Sequence, residues 1–496
     1  MTENEQYLAL TIGRGMDINY RHLVIPALDN CDALIVNIKG LVNQTELEDS
    51  VISPLLNKQE LPRGPRLKNQ DDRFTRLIES GISVSGAKQS QLWTEICDAI
   101  VSGDSVLFLD KWDKALILEN KGYKLRNISE PTTETETRGP KDGFIEDIMS
   151  NMGLIRRRIK DYSLRFETLV VGDRSKTEIV LAYIDNLVND SLLNEVRSRI
   201  SRIKIDSLLS SVYLEEFIED EPYSFFPTME NTERPDRAVA AILEGRVVIL
   251  MDNTPFALIV PAVFWNFLQS PGDHYERYYI GTFWRWIRLV ALFLALSSTS
   301  FYVLLTSFHQ EMLPTALALK IAADREGVPF PAVMEAFVME LLFEVMAEAG
   351  LRMPKAIGQT VSIVGTLVIG QAAVSAGLVG PALIIAVAVG AISSFAIPSF
   401  SMSTSIRLIR FPLLFLSAAF GIFGYLGGII FITLHLLSVR SFGTPFLGPV
   451  TPYDQGGQVD TLLRLPRWKM LTRPWAGRPK DKIRQKDDLK PRPDLK

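Results

Sequence analysis

The 496-residue sequence predicts two cytoplasmic α/β subdomains followed by an α-helical polytopic membrane domain, and three observations carry that fold class. Charge is segregated: Asp, Glu, Lys and Arg crowd the first 288 positions and roughly the last 30, whereas 356–406 contains none of them. About 20 apolar residues cross a hydrocarbon core of roughly 30 Å, so that uncharged stretch is long enough for two crossings. In the polar part, β-branched apolar runs alternate with amphipathic helix patterns, which favours α/β layers. The averages conceal the split. With 53 Lys+Arg against 57 Asp+Glu and 47% hydrophobic residues, the chain would pass for three soluble domains. A purely soluble protein is excluded by the segregation.

The first subdomain is expected over 1–125. CDALIVNIKG reads as a strand closed by a Lys-Gly turn, and TELEDSVISPLL as the helix after it. QLWTEICDAIV is a second helix, and SVLFLD and ALILE are strands on either side of KWDK. The polar, Pro- and Gly-bearing 126–139 reads as a linker. In the second subdomain, 140–282, TLVVG and KTEIVLAYI form a strand pair about GDRS. NDSLLNEVRSRISRI comes next as a helix capped by Asn189 or Asp190. DRAVAAILEG is a helix ending at Gly245, and RVVILMDNTPFALIV a hairpin with Asp252-Asn253 at its tip.

The membrane domain is expected over 283–440. Its first crossing is Leu289 to Phe308, preceded by Trp284, Arg285, Trp286 and Arg288, which mark a cytoplasmic interface. Gln359 to Val379 and Pro381 to Phe400 form the uncharged pair, and Phe411 to Val439 the last crossing. No basic n-region followed by an apolar stretch opens the chain, so the polar N-terminal part is expected in the cytoplasm. The tail, 441–496, holds twelve Lys/Arg and four Asp from Arg464 onward, a net of +8 that suits the cytoplasmic face and its anionic lipid. Four crossings are countable, but Lys320, Arg325, Arg352, Lys355, Arg407 and Arg410 would then lie outside, against the positive-inside tendency, and up to six crossings fit.

Two faces carry candidate chemistry. Glu340, Glu344 and Glu348 recur every fourth residue of PAVMEAFVMELLFEVMAEAGLRMP, so they share one helical face. That face is either the solvated side of an interfacial helix or, in a ring of copies, the acidic mouth of a cation pore. Gln359, Ser362, Thr366, Gly370 and Ala373 form a strip of small and polar residues that serves close helix packing or lines a pore. Arg156, Arg157 and Arg158 make the densest basic cluster before the tail, a solvated helix face or a contact for anionic lipid or an acidic partner. Arg138, in RGPKDGF, is expected to pair with an acidic residue such as Glu233, in TERPD, across domains or subunits.

Catalysis has no foothold. The four His residues are scattered, and HExxH, GxSxG, P-loop and CxxC patterns are absent, so no enzyme activity, metal or cofactor is expected. Cys31 and Cys97 lack metal-ligand spacing and read as small buried hydrophobes in a reducing compartment. His435 reads as a hydrogen-bonded core residue. A net charge of −4 argues against nucleic-acid binding.

RGPKDGF (138–144), NMGLIRRRI (151–159), SFFPTMENTERPD (224–236), LEGRVVILMDNTPFAL (243–258) and EAGLRMPKAIGQTVSIVGTLVIGQAAV (348–374) resemble, in order and over nearly the whole chain, the A subunits of the GerA family of spore germinant receptors. Asn253 stands where a Gly would be usual in the hairpin turn, and His274 beside Tyr275 where a second Tyr would be. The resemblance implies a multi-pass protein of the spore inner membrane that works with a transporter-like, nutrient-sensing B subunit and a C subunit lipoprotein. It also implies homo-oligomers, plausibly pentamers, forming a nutrient-gated channel that releases monovalent cations and triggers germination. The alternative is a non-conducting scaffold or signal-transducing subunit. A secondary transporter would show two corresponding broken helices, and only Gly380-Pro381 is such a break.

Overall fold

The structure, a computed structural model, describes the chain apart from residues 1, 27–29, 57–85, 111, 123–129, 132–133, 353–369, 455, 487–488 and 492–496. The chain forms two compact units. One comprises Met1–Glu219, Met229–Pro261 and Leu471–Lys486, the other Asp220–Thr228, Ala262–Met470 and the last residues from Asp487. Each unit thus borrows a short segment from the far side of the sequence.

The first unit is a duplication. Helix α1 (Thr2–Thr11) precedes strands β1 (Ile18–Ile25) and β2 (Cys31–Ile38). A helix then runs as α2 (Gln44–Leu47), a π turn (Glu48–Ile52) and α3 (Ser53–Leu56). Next come β3 (Ala87–Ser90), α4 (Trp93–Ser102), β4 (Ser105–Leu109) and β5 (Ala115–Leu118). The series then repeats: α5 (Ile148–Arg158), β6 (Leu164–Val171), β7 (Thr177–Ile184), α6 (Asp190–Ser201), α7 (Ser211–Ile218), β8 (Glu230–Thr232), α8 (Pro235–Leu243), β9 (Val247–Met251) and β10 (Ala257–Val260). The two sheets have the same order, β1-β2-β4-β5-β3 and β6-β7-β9-β10-β8, and every pairing is antiparallel.

Local sequence repeats with the topology. Ile38-Lys39-Gly40-Leu41-Val42-Asn43 and Ile184-Asp185-Asn186-Leu187-Val188-Asn189 both leave a central strand and end in an Asn that caps the next helix. Asn43 Oδ1 accepts from Glu46 N and Asn189 Oδ1 from Ser191 N, each satisfying an orphan amide of a first turn. Gly103 (φ 96°) and Gly245 (φ 79°) stop the matching helices α4 and α8 in the left-handed region that favours glycine.

In the first sheet, Leu34, Val36 and Ile38 of β2 enter one apolar cluster with Ile96 and Ile100 of α4, while Ala33 and Ile35 enter another with Val51 and Leu55. Burial on both faces explains why β2 is apolar at the successive positions Ala33 to Val36. Strand β1, INYRHLVI, gives no such signal: it is an edge strand with one solvated face and so carries polar residues. The strand pair about GDRS and the hairpin at Asp252-Asn253 form as expected, and Asn253 takes φ 65° at the tip.

The second unit is helical. After α9 (Gly272–Tyr275) come α10 (Tyr278–Ser307), α11 (Thr315–Arg325), α12 (Ala332–Arg352), α13 (Gly370–Ser375), α14 (Pro381–Phe395) and α15 (Phe400–Ser438). Among the described residues, α10 and α15 are long and apolar enough to cross a membrane. Helix α14 has 15 residues, short of a full crossing by length alone, and 359–369 of the preceding expected crossing lie outside the described residues. Helix α15 departs from helical geometry at Gly421 (φ 59°), where Phe308 and His309 pack so closely that a Cβ would meet them at 3.1–3.3 Å.

Two clusters hold this unit. Ala295, Leu296 and Leu304 of α10 pack with Met402, Ile406, Leu413 and Tyr425 of α15, and Val303, Ala336, Met339, Leu383 and Leu414 join α10, α12, α14 and α15. At the start of α10, Arg285 and Arg288 turn inward to Asp273 while Trp284 and Trp286 stay exposed.

Candidate functional site

Several of the charged residues that looked like surface features are interior ones. In the first unit Arg156 is 2% exposed, and its guanidinium binds Asp17, at the start of the first repeat, through both Nε and Nη2. Arg156 belongs to α5, which opens the second repeat, so this buried pair joins the two halves. Arg158 grips Asp142 with bonds to both carboxylate oxygens at 2.6 Å, and that pairing, against the cost of burial, holds the Asp142 carboxyl below its ordinary range. Arg157 is exposed and lines a cleft of about 460 Å³ with Lys39 and Asp147. The cluster is thus divided among two internal ion pairs and one surface position.

RGPKDGF and TERPD do meet, by a different residue from the one expected. Arg138 is exposed and Glu233 is buried, and they are not brought together. Arg234, 1% exposed, does the joining: its Nη2 donates to the Pro140 carbonyl and to Asp236, and its Nη1 to the Glu134 carbonyl. The Phe144 amide donates to the Glu233 carbonyl at 2.7 Å. Beside them Glu230 lies between Arg237 and Arg246. Burial raises its pKa, but the two guanidiniums outweigh that and hold the carboxyl below its ordinary range.

In the helical unit, α12 carries a row of carboxylates, each answered by an arginine. Glu335 accepts from Arg325 Nη2 at 3.2 Å and from the Gly380 amide at 3.1 Å, so it sits at the N-terminus of α14, where the helix dipole favours negative charge. Glu340 and Arg410 meet at 2.6 Å, and Thr299 of α10 donates to the other Glu340 oxygen. Glu344 takes Arg407 at 3.0 Å and Arg410 at 3.3 Å. Glu348 is exposed and paired with Arg352 one turn away. The carboxylate face therefore packs against α10 and α15 at Glu340 and reaches the surface at Glu348.

A count of four crossings would put Arg407 and Arg410 outside the membrane. Both lie within α15, spaced i, i+3 so that they face Glu340 and Glu344, spaced i, i+4. The matched spacings were the available signal. Gln359, Ser362 and Thr366 lie outside the described residues. Gly370 is buried in α13, and Ala373 packs beside Val303, Leu383 and Met339. His435 is hydrogen-bonded to Ser224 Oγ at 2.9 Å, as its apolar setting required. Cys97 is buried and Cys31 is half-buried, with its Sγ donating to the Asp110 carbonyl at 3.7 Å. No group of three or more His, Cys, Asp or Glu suited to a metal occurs among the described residues.

An antiparallel, duplicated α/β unit and a helical unit with two membrane-length helices and buried carboxylate–arginine pairs define a membrane-associated protein with a large polar domain. Residues 6–476 match the family described as Bacillus/Clostridium GerA spore germination protein, and the chain belongs to that family. It is 42% identical over 482 residues to "Spore germination protein KA" of Bacillus subtilis (strain 168), covering 97% of this chain and 87% of that one. It is 41% identical over 474 residues to "Uncharacterized membrane protein YfkQ" of the same organism, covering 96% and 90%. With "Spore germination protein GerLA" of Bacillus cereus it shares 39% over 454 residues, covering 91% of each. Among solved structures, the N-terminal domain of the A subunit of the Bacillus megaterium spore germinant receptor GerK3 matches 53% of this chain and 95% of its own, at 33% identity and a TM-score of 0.42.

Proposed function

We propose that this chain is the A subunit of a nutrient germinant receptor in the spore inner membrane, multi-pass, with the N-terminal domain and tail in the cytoplasm. In this reading it assembles with a transporter-like B subunit and a C subunit lipoprotein, and copies of it form a ring, such as a pentamer, that conducts cations when the nutrient is sensed. It is a receptor subunit and not an enzyme. Membership of the GerA family supports the receptor role. The observation that carries the conducting role is the row of four carboxylates on α12 within an apolar helical unit, because ionised groups are costly near hydrocarbon and persist there for function.

The conducting path is assigned to the strip Gln359, Ser362, Thr366, Gly370 and Ala373, with the α12 carboxylates at its mouth. Glu348 is held only by an exposed pair with Arg352 and is the member that passing ions can reach, whereas Glu340 and Glu344 are held by arginines in the interior of the helical unit. That internal neutralisation is also what favours the second reading, a non-conducting scaffold whose buried charges serve only to lock helices. Potassium release from spores carrying Thr366→Leu, Ser362→Leu or Glu348→Gln separates the two, with receptor abundance checked by immunoblot. The conducting reading expects altered release at normal abundance; unchanged release in all three would leave the scaffold.

A further inference from the structure

The two halves of the duplicated unit part ways after their last strands. In the first half the chain continues from β5 through Asn120-Lys121-Gly122 and lies along the Ile38–Asn43 motif. The Asn43 amide donates to the Asn120 carbonyl at 3.0 Å, and the Gly122 amide donates to the Leu41 carbonyl at 3.0 Å. In the second half the chain leaves after Pro261 for the helical unit, so no such continuation exists.

The equivalent place is taken by the C-terminal tail. The Lys480 amide donates to the Leu187 carbonyl at 2.9 Å, matching Gly122 and Leu41, and Asn189 reaches the Arg478 carbonyl with its side-chain Nδ2 at 3.5 Å where Asn43 uses its backbone amide to reach Asn120. Lys480 Nζ also reaches Asp190 at 2.7 Å. The fit is close. A Cβ on Gly245 would stand 2.8 Å from Pro479 Cβ, and a Cβ on Gly477 would stand 2.9 Å from the Gly245 carbonyl carbon.

We infer that the second half of the duplicated unit is incomplete without the tail, and that the slot formed by Leu187, Asn189, Asp190 and Gly245 is a docking site for a basic peptide turn whose resident occupant is Gly477–Lys480 of the same chain. The docking draws on one main-chain hydrogen bond, the Lys480–Asp190 ion pair and the close approach of Gly245 to Pro479 and Gly477. Because the donor segment is joined to the unit only through the helical region, it can leave and return without unfolding either sheet. The slot thereby ties the segment after the last long apolar helix to the polar unit.

Hydrogen exchange on the purified protein tests this. When a synthetic peptide of residues 471–486 is added to a chain ending at Met470, its Lys480 amide is expected to exchange about tenfold slower or more than in the peptide alone, which is the protection docking would confer. The same peptide with Gly477→Val is expected to gain no such protection. In the full chain, Gly245→Val is expected to deprotect Lys480 while β6 and β7 keep their protection, which reports even if the truncated chain does not survive purification. A Lys480 amide that exchanges as fast with the truncated chain as in the peptide alone, equal protection in the Gly477→Val peptide, or a Lys480 amide as protected in Gly245→Val as in the parent would each overturn the inference. So would a bifunctional thiol cross-link between Asp190→Cys and Lys480→Cys that forms only between differently tagged copies, because the occupant would then be a second chain.

Discussion

Arg410 of α15 and Glu340 of α12 meet at 2.6 Å with each side chain 1% exposed, and the pair sits where α10, α12 and α15 converge. A buried ion pair repays the desolvation of two charges only when both are present, and removing one partner typically costs about 3–5 kcal/mol. Arg410→Gln alone is therefore expected to destabilise the helical unit by that order, read as a lower melting temperature of the detergent-solubilised protein. Replacing both partners, Glu340→Leu with Arg410→Met, is expected to recover most of the loss. If the double variant is stable but spores no longer respond to nutrient, the pair has a role beyond packing; a double variant as unstable as Arg410→Gln would refute the pairing as the source of the cost.

Arg156 and Asp17 make the corresponding claim for the duplicated unit. Arg156→Lys keeps the charge but cannot give Asp17 two donors from one planar group. We expect Arg156→Lys and Asp17→Asn each to cost roughly 2–4 kcal/mol, because a charge or a dipole is left buried without its match. Arg138→Ala, at an exposed position, is expected to stay within about 0.5 kcal/mol. Chemical denaturation of the purified chain compares the three, and a large effect at Arg138 would return the joining role to that residue.

The contrast between these two arginines shows what the sequence made legible. Strands buried on both faces, such as Cys31–Ile38 and Thr177–Ile184, declare themselves as apolar runs, and helices with asparagine caps and glycine stops declare their ends. Edge strands do not, because Ile18–Ile25 must satisfy water on one side. Nor do ion pairs, since whether Arg156 or Arg157 turns inward depends on a partner 139 residues away. The duplication is written in Ile38–Asn43 and Ile184–Asn189, but three matching positions (Leu-Val-Asn) after an isoleucine carry little weight until the two sheets show the same order. The carboxylates on α12 are visible as a face, whereas Arg407 and Arg410 fall between two expected crossings, where hydropathy names no partner for them.

Asn253 offers a test of backbone strain. It occupies the hairpin tip at φ 65°, its amide donates to the Glu146 carbonyl, and its side chain reaches Asp252. Glycine takes that conformation without cost, asparagine at little cost, and other residues at about 1–2 kcal/mol. Asn253→Gly is expected to change stability by a few tenths of a kcal/mol, and Asn253→Ala to lower it by about 1 kcal/mol. Equal melting temperatures for the two variants would show that the turn tolerates a relaxed geometry.

His274 makes the stability of the helical unit depend on pH in a stated direction. It lies outside the long helices, with its ring near Asp460 Oδ2 at 3.6 Å and Arg285 Nη2 at 3.5 Å. Burial pushes its pKa down, from 6.5 to about 4; Asp460 pulls the other way, and Arg285, Arg467 and Arg464 reinforce the fall. In the folded chain the ring is then neutral at pH 5, while in the unfolded chain it is protonated. The unfolded state therefore binds more protons across this window, and stability is complete above about pH 6.5 and is lost as pH falls toward 4. The full loss from this one group is of the order of 3 kcal/mol. Melting temperatures of the parent and of His274→Gln, measured from pH 7.5 to 4.5, are expected to diverge, the parent falling more steeply. Parallel curves would mean that the ring titrates as it does in water and is not held neutral by its surroundings.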